Sequence, residues 1–406
     1  MTERLLVCGL ASGMDLALPR ILDLGVELVV ATDHPTEQVR RHASRIVRTD
    51  PLSADRVLRD LKAANAGGFS GVMSLGFDNP PAIAALSSAF GCPGLDVEVA
   101  ANATEKDRRI ATLRAAGLAT PAHGVATGMR EGLALLETIG LPAVVKPVDR
   151  TGSLGVSKIS SFEGARDLLR RALVKSRSGR IVVERYLTGT EHTVTGVSVG
   201  GRVHFASLSD RDYSEKERFA PSIFERGDIL PSALGPDEAR RVFETVEAGV
   251  RALALDPAVF NTDVLVTPAG EVILIELTAR LPGARIASDL VPLATGVDIL
   301  PNAVRLALGR PIILDELRPS RATAVVQRYL PANGGRVDWV GDLRQVDRTD
   351  IHDLFWLMRL NEGRRLPLYR SDRDLIAGVI ATGETVEQAG AAADRALRSL
   401  PLRVAA

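Results

Sequence analysis

The sequence predicts a mixed α/β protein, α+β in part, that is built from several domains. Its 406 residues exceed what one hydrophobic core usually organises. Strand-like and helix-like segments alternate over the first 100 residues, which is typical of a parallel sheet with helices on its faces. Two later pairs of strand-like segments are joined by short turns that contain glycine, and these predict antiparallel hairpins.

The N-terminal alternation predicts a Rossmann-like parallel domain over residues 1–102. Predicted strands cover residues 4–9, 26–33, 45–50 and 71–76, and predicted helices cover residues 14–24, 53–65 and 81–90. Gly9, Gly13 and Asp33 are similar to parts of a dinucleotide-binding turn, but the GxGxxG pattern is absent. A packing role is therefore favoured over a cofactor role for this region.

The middle of the chain predicts a second domain over residues 103–310, with a lid subdomain at about residues 118–183. A helix over residues 105–117 is predicted, with Thr104 as its N-cap and Asp107 in its first turn. Further helices are predicted at 128–140, 162–175, 236–254 and 298–308. Strands are predicted at 143–146, 155–160, 180–187, 191–199, 202–210, 260–266 and 271–277.

A β-rich tail is predicted over residues 311–406. It ends with a strand over residues 375–383 and a helix over residues 385–398. The charged segment 209–231 shows no clear period and is expected to be irregular.

Composition excludes several classes of protein. The 50 basic and 50 acidic residues cancel, which argues against a nucleic-acid or membrane-surface binder. Cys8 and Cys92 give no disulfide framework, and the six histidines do not cluster as zinc ligands would. The N-terminus lacks the features of a signal peptide, so a cytoplasmic protein is expected.

The stretch "AVVKPVDRTGSLGVSKIS", residues 143–160, is a candidate phosphate-binding loop. It does not fit the Walker pattern, because Gly155 is followed by valine and serine rather than by lysine. Lys146 precedes the glycines, whereas a kinase lysine follows them. The pattern predicts a flexible loop between two antiparallel strands, whose N–H groups approach phosphate. A surface hairpin with a solvated lysine explains this stretch equally well.

Two carboxylates in the second hairpin favour a metal site. A turn about residues 268–269 would place Asp263 opposite Leu274 and diagonal to Glu276, on one face of the sheet. Like charges this close need a cation between them, and magnesium is the natural candidate. Relief of this repulsion predicts that Glu276→Gln leaves the metal-free protein as stable or more stable. The alternative is an acidic pair facing solvent.

The opposite face of that hairpin is expected to pack on a core. Its apolar side chains are Val264, Val266, Ile273 and Ile275.

Taken in order, these motifs resemble the ATP-grasp superfamily of the carboxylate–amine ligase type, and the resemblance covers essentially the whole chain. It rests on Lys106 at a helix start, "VVKP", "TGSLGV", "VVERYLTGTEH", Asp263 and "IELTAR". The chain also looks similar to L-amino acid ligases and to the biotin carboxylase and carbamoyl phosphate synthetase group. The resemblance implies an ATP-grasp fold: a Rossmann-like domain, a lid subdomain, a central antiparallel-sheet domain and a β-rich tail.

The resemblance also implies a role for each matching residue in ATP binding. Lys106 and Lys146, two of six lysines, would contact phosphates, with Lys146 also counted as catalytic. Ser153 and Gly155 would belong to the lid over the phosphates. The remaining nucleotide contacts would be Glu184, Tyr186 and Leu187 at the adenine, Glu191 at the ribose, and His192 beside it.

The implied metal and catalytic residues follow on the second hairpin. Asp263 and Glu276 would hold Mg²⁺, or Mn²⁺ in its place, and Arg280 would face the transferred phosphoryl group or the substrate carboxylate. The family usually has a further metal ligand, asparagine, two residues after the second carboxylate. Here that position is Thr278, which is a poorer magnesium ligand and leaves the number of metals open.

Three functional interpretations remain open from the sequence. The first is a ligase that joins a small-molecule carboxylate to an amine through an acyl phosphate. The second is a carboxylase-like or nucleotide-pathway enzyme that uses bicarbonate or formate, and the third is a non-catalytic nucleotide-binding module. A homodimer without nucleic-acid or membrane partners is expected. Candidate substrate contacts in segment 209–231 are Arg211, Tyr213, Arg218 and Arg226.

Overall fold

A four-stranded parallel sheet forms the N-terminal part of the computed structural model, which describes residues 2–405. The strands are β1 (Arg4–Leu10), β2 (Glu27–Thr32), β3 (Arg45–Arg48) and β4 (Gly71–Leu75), in the order β3–β2–β1–β4. The helices are α1 (Leu18–Leu22), α2 (Glu37–His42), α3 (Ala54–Ala63) and α4 (Pro80–Phe90). The predicted parallel α/β arrangement is confirmed.

Two consecutive helices follow, α5 (Val97–Thr104) and α6 (Lys106–Ala115). The sequence did not predict α5, and the expected N-cap at Thr104 is wrong. Thr104 is the last residue of α5, where its hydroxyl donates to the Ala100 carbonyl at 2.8 Å, and Glu105 takes the cap position. The break between the helices sets the direction in which α6 presents Lys106.

A small antiparallel sheet of four strands comes next. Its order is β5–β8–β6–β7, from β5 (His123–Ala126), β6 (Ala143–Pro147), β7 (Ser157–Ile159) and β8 (Ile181–Arg185). Helices α7 (Met129–Ile139) and α8 (Ala165–Lys175) cover one side of it. The candidate phosphate loop connects β6 to β7, as the sequence predicts.

An eight-stranded antiparallel sheet is the largest element of the molecule. Five strands come from the middle of the chain: β9 (Thr190–Val199), β10 (Arg202–Asp212), β11 (Gly227–Leu230), β12 (Ala258–Val266) and β13 (Val272–Thr278). Segment 209–231 is thus more regular than expected, because β10 extends to Asp212 and β11 follows a short 3₁₀ turn at Lys216–Phe219. Helices α9 (Pro236–Ala252), α10 (Val291–Thr295) and α11 (Leu300–Ala307) complete this part.

The C-terminal tail continues the same sheet. Its strands are β14 (Ala324–Pro331), β15 (Arg336–Val340), β16 (Ile351–Trp356), β17 (Leu375–Gly383) and β18 (Leu402–Ala405), and its helix is α12 (Val386–Arg398). The sheet order is β13–β12–β9–β10–β11–β14–β17–β16, while β15 and β18 pair separately. No helix in the described part of the chain is long and apolar enough to cross a membrane.

A β-bulge in the β12–β13 hairpin decides which side chains face the core. Val264 pairs with Leu274, and Asp263 pairs directly with Glu276, so Ile275 is an extra residue without a partner on β12. The predicted register, with Asp263 opposite Leu274, is therefore wrong. The turn is also longer than expected, since Thr267 N–H donates to the Glu271 carbonyl.

The bulge separates a core face from a polar face. Val264, Leu274 and Leu277 pack beneath α9, against Val242 and Val246. Without the extra residue, Glu276 would share the face of Leu274, because side chains alternate along a strand. Of the core side chains expected from this hairpin, Ile275 is instead the bulge residue and is only half-buried.

The N-terminal domain packs on the central sheet through a shared hydrophobic cluster, and at one point two backbone segments also meet. Gly76, which follows β4, has φ of 62°. A Cβ atom at residue 76 would lie 2.8 Å from the Cα of Gly283, in the loop after β13. Two glycines in contact therefore allow the loops after β4 and β13 to approach closely.

We expect Gly76→Ala to lower the free energy of unfolding by about 3 kcal/mol, from left-handed backbone strain and overpacking together. Gly91→Ala is the matched control, because Gly91 also has positive φ but an added Cβ would meet nothing within 4 Å. It should lose only about 1 kcal/mol. Urea unfolding of both variants measures the difference, and equal losses would show that the Gly76–Gly283 contact is unimportant.

Candidate active site

The polar face of the large sheet carries two adjacent rows of side chains on strands β13, β12 and β9. The carboxylate row consists of Glu276, Asp263 and Thr193, which oppose one another across the three strands. The amide row, two residues along each strand, consists of Thr278, Asn261 and Thr195. Directly opposed residues share a face of the sheet, so both rows point toward the lid subdomain's side, where Lys106 and Lys146 lie close to Glu276.

The two candidate phosphate-binding lysines come from different elements. Lys106 starts α6 and is 8% exposed. Its Nζ donates at 2.6 Å to the carbonyl of Arg150, in the loop over residues 148–156 between β6 and β7, which we call the lid loop. Lys146 is the penultimate residue of β6, and its Nζ lies 2.7 Å from Glu184 Oε2 on β8. Burial lowers the pKa of Lys106, although the Glu276 carboxylate partly opposes this.

Glu276 is surrounded by cations that belong to the protein. Burial alone would raise the pKa of its carboxyl, but Lys106, Arg109 and Arg280 outweigh burial and lower the pKa to about 2. Arg109 is 2% exposed, and its guanidinium donates to the carbonyl of the bulge residue Ile275 at 3.4 Å. Glu276 is therefore ionised and compensated without a metal.

Asp263 is compensated separately. Arg211 on β10 makes an ion pair with Asp263 and a second one with Glu225, and Thr193 Oγ1 donates to Asp263 Oδ1 at 3.0 Å. Burial raises the pKa of Glu225, and Arg211 only partly opposes this. The repulsion that was expected between Asp263 and Glu276 is thus offset by side chains from α6, β10 and the loop after β13.

Arg280 joins the site to the N-terminal domain. Its Nε lies 3.1 Å from Asp78 Oδ1, in the loop that follows β4, and its Nη1 donates to the Leu281 carbonyl at 3.0 Å. Both side chains of the pair are largely buried. Sequence reasoning missed Asp78, although loops at the carboxyl ends of parallel strands are where α/β proteins bind ligands.

The lid loop lies over the site and contacts the tail. Ser153 has φ of 56° and Gly155 has φ of 82°. A Cβ atom at residue 155 would lie 2.9 Å from Pro147 Cγ, so glycine is required there. The Gly152 carbonyl accepts from the Asp372 N–H at 3.3 Å, and the Lys158 N–H donates to the Pro221 carbonyl at 2.8 Å.

The residues expected at the adenine and ribose are only partly brought together. Glu184 is held by Lys146, the Tyr186 ring lies 4.5 Å from Lys158 Nζ, and Leu187 is half-buried beside them. Glu191 faces Arg211 and Asp263, and burial raises its pKa.

His192 does not join this group. It lies on the opposite face of β9 from Glu191, with Nδ1 2.7 Å from Asp210 Oδ1 and Nε2 2.7 Å from Thr190 Oγ1. Its ring is therefore engaged in packing on the side of α9.

Of the four candidate substrate contacts in segment 209–231, two face the site and two do not. Arg211 and Tyr213 face the site, where Arg211 pairs with Asp263 and its Cζ lies 5.6 Å from the centroid of the Tyr213 ring. Arg218 pairs with Glu215 at the surface, and Arg226 pairs with Asp212 and Asp394. Glu225, which sequence reasoning overlooked, completes the wall next to Arg211. No periodicity marks it, so only the paired charges in the fold reveal it.

The donor set at the carboxylate row fits magnesium. Asp263 and Glu276 present oxygen ligands from directly opposed positions, the type that Mg²⁺ prefers. Within residues 2–405, no group of three or more His, Cys, Asp and Glu side chains converges as a metal cage. Magnesium is usually held by one or two carboxylates together with substrate phosphates and water, so this sparse set suits it.

These charges reverse the expectation for Glu276→Gln. A carboxyl whose pKa is lowered on folding stabilises the folded protein above the unfolded pKa, near 4.5, and loses this contribution as the pH falls toward 2. In EDTA at pH 7 we expect the variant to lose on the order of 2–3 kcal/mol of unfolding free energy. The loss should shrink below pH 4.5. Urea unfolding at several pH values measures it, and a glutamine variant that equals the parent at pH 7 would contradict this charge balance.

Part of the chain matches a known protein family. Residues 105–315 match the family model for the carbamoyl-phosphate synthase L chain, ATP binding domain. The match begins one residue before Lys106 and includes the lid loop and both carboxylates of the hairpin.

Three similar proteins extend the comparison. The crystal structure of an L-amino acid ligase from Bacillus licheniformis superposes with a TM-score of 0.83 at 20% identity, over 100% of this chain and 99% of that one. The uncharacterized protein y4rH of Sinorhizobium fredii is 25% identical over 364 residues, which cover 87% of this chain and 73% of that protein. Alanine–anticapsin ligase of Bacillus subtilis is 24% identical over 218 residues, covering 48% of this chain but only 44% of that ligase.

The family model matches more than half of the sequence, and the solved L-amino acid ligase structure shares the fold over the whole chain. The chain therefore belongs to the carbamoyl-phosphate synthase L chain, ATP binding domain family, within the ATP-grasp superfamily.

Proposed function

We propose that this chain is an ATP-dependent carboxylate–amine ligase whose substrates include an amino acid. The reaction would form an amide and release ADP and phosphate. One observation carries the choice of an amine-bearing substrate: buried carboxylates outnumber cations beside the carboxylate row. Glu225, Asp228 and Asp263 all lie close to the guanidinium of Arg211, and Arg328, the other cation near Asp228, is already paired with Asp212.

This surplus of carboxyl groups over cations favours a cationic substrate group. Asp372 adds a fourth carboxyl near Arg211, next to the lid loop. Burial raises the pKa of Glu225, Asp228 and Asp372, which means that a further positive charge would be stabilising there. The ammonium group of an amino acid supplies such a charge. Bicarbonate, the substrate in the competing interpretation, is an anion and would be disfavoured by these carboxyl groups.

The proposed reaction has two balanced steps. A carboxylate oxygen of the acid attacks the γ-phosphorus of ATP, and the bond between that phosphorus and the β–γ bridging oxygen breaks. The products of this step are an acyl phosphate and ADP. The neutral amine then attacks the acyl carbon, phosphate leaves, and the amine loses a proton. Positioning and charge neutralisation are sufficient for such a transfer, so no protein nucleophile is needed.

The residues of the site have matching roles. Lys106 and Lys146 would bind the phosphates, and Ser153 and Gly155 would hold the lid over them and exclude water. Magnesium, bound by Asp263 and Glu276, would supply neutralisation of phosphate charge.

The other roles concern the nucleotide and the acid. Arg280, oriented by Asp78, would bind the reacting carboxylate. Tyr186 and Leu187 would contact the adenine, Glu184 would orient Lys146 there, and Glu191 would accept from the ribose hydroxyls.

A screen for ADP release tests the function. Purified protein with MgATP is given each proteinogenic amino acid alone, all pairs, and bicarbonate alone. We expect release that requires an amino acid and is matched by a new amide in mass spectrometry. Release with bicarbonate alone would support the carboxylase interpretation. Nucleotide binding without release under any condition would support the non-catalytic module.

Glu225→Gln tests the acidic wall separately. Loss of one charged hydrogen bond to an ammonium group should raise the KM for the amino acid about tenfold or more and leave the KM for ATP within twofold. Glu217→Gln is the matched control, because Glu217 lies in the same segment but pairs with Lys158 at the surface. Equal KM values for Glu225→Gln and the parent would exclude Glu225 from substrate binding.

A further inference from the structure

The amide row places an asparagine beside the magnesium site, on the strand facing Thr278. Asn261 on β12 pairs directly with Thr278 on β13, and the next pair on the same face is Asp263 with Glu276. Side chains of directly opposed residues begin about 5 Å apart, and those two residues along one strand begin about 7 Å apart. Asn261 and residue 278 therefore approach the carboxylate pair from equivalent positions.

The side-chain carbonyl of Asn261 has no assigned use within the fold. Its Oδ1 is shielded from solvent and accepts no hydrogen bond from any residue between Thr2 and Ala405. A buried polar atom without a partner costs on the order of 1–3 kcal/mol, so an oxygen left in this state calls for an explanation. An amide oxygen next to two carboxylates is a good ligand for a hard cation.

The hydroxyl groups of the other two members of the amide row already form hydrogen bonds within the protein. Thr278 is 0% exposed, and its hydroxyl donates to the backbone carbonyl of Asn261 at 3.4 Å. Thr195 is also fully buried, and its hydroxyl lies 2.7 Å from Ser207 Oγ. Asn261 is thus the member of the row that keeps a free oxygen.

We propose that Asn261 Oδ1 is the third protein ligand of the magnesium ion, in place of residue 278. The amide ligand has moved across the β12–β13 ladder to the residue directly paired with 278, while the Thr278 hydroxyl is used in a hydrogen bond to the Asn261 backbone carbonyl. This assignment rests on the proposed use of magnesium with ATP, but it does not depend on which substrates are joined.

The test measures how much the metal contributes to nucleotide binding. Isothermal titration gives the affinity for ADP with Mn²⁺ and with EDTA, and the ratio of the two reports metal binding without turnover. Asn261→Leu removes the oxygen at similar volume. We expect the ratio to fall at least tenfold, with the EDTA affinity unchanged.

Thr278→Val is the matched control, since it removes the hydroxyl and keeps the shape of the side chain. Its ratio should stay within twofold of the parent. Asn261→Asp is a second variant that keeps an oxygen at residue 261, and its ratio should equal or exceed that of the parent even if the leucine variant fails to fold.

Three results with the variants would overturn the assignment. The first is a ratio of ADP affinities for Asn261→Leu that stays within twofold of the parent's ratio. The second is a fall in the ratio for Thr278→Val as large as that for Asn261→Leu. The third is a ratio for Asn261→Asp that lies tenfold or more below the parent's. An ADP affinity of the parent protein that is the same with Mn²⁺ as with EDTA would also overturn the assignment. Absence of ADP release in the substrate screen, with these ratios as expected, would reject the ligase function and leave the metal ligand standing.

Discussion

The buried guanidinium of Arg109 holds the geometry on which the site depends. It reaches from α6 to the carbonyl of Ile275, at the bulge that turns Glu276 away from the core, and its charge helps to keep Glu276 ionised. A bulge leaves one residue without its ladder partner, and a buried donor from outside the sheet satisfies part of that loss. The Arg109 side chain therefore helps both to orient the Glu276 carboxylate and to compensate its charge.

Compensation of buried charge also explains how separate parts of the chain meet at one point. Lys106 comes from α6, Arg211 from β10, and Arg280 is oriented by Asp78 of the N-terminal domain. Both members of the carboxylate row that carry charge, Glu276 and Asp263, thus have cations from other elements. Removing one member of such a network leaves an unpaired buried charge, which is costlier than losing an exposed ion pair. The domains are thus coupled through the site itself.

Much of this arrangement is readable from the sequence, and the failures have physical causes. The parallel N-terminal sheet and both hairpins follow from periodicity and turn residues, whereas the ordered lysines were found through the resemblance to the ATP-grasp superfamily. The register of β12 with β13 does not, because one extra residue in the turn and a bulge at Ile275 change the pairing without altering local composition. Glu225 and Asp78 were missed because their roles arise only from contacts between distant segments.

The continuity of the large sheet has a consequence for synthesis of the chain on the ribosome. Strand β11 ends at Leu230, but its outer neighbour β14 begins at Ala324. For nearly a hundred residues of translation, the growing chain carries an edge whose N–H and C=O groups have no strand to pair with, and such edges promote association between chains. The acidic and basic side chains at that edge, including Asp228 and Arg226, would hinder this association until β14 arrives.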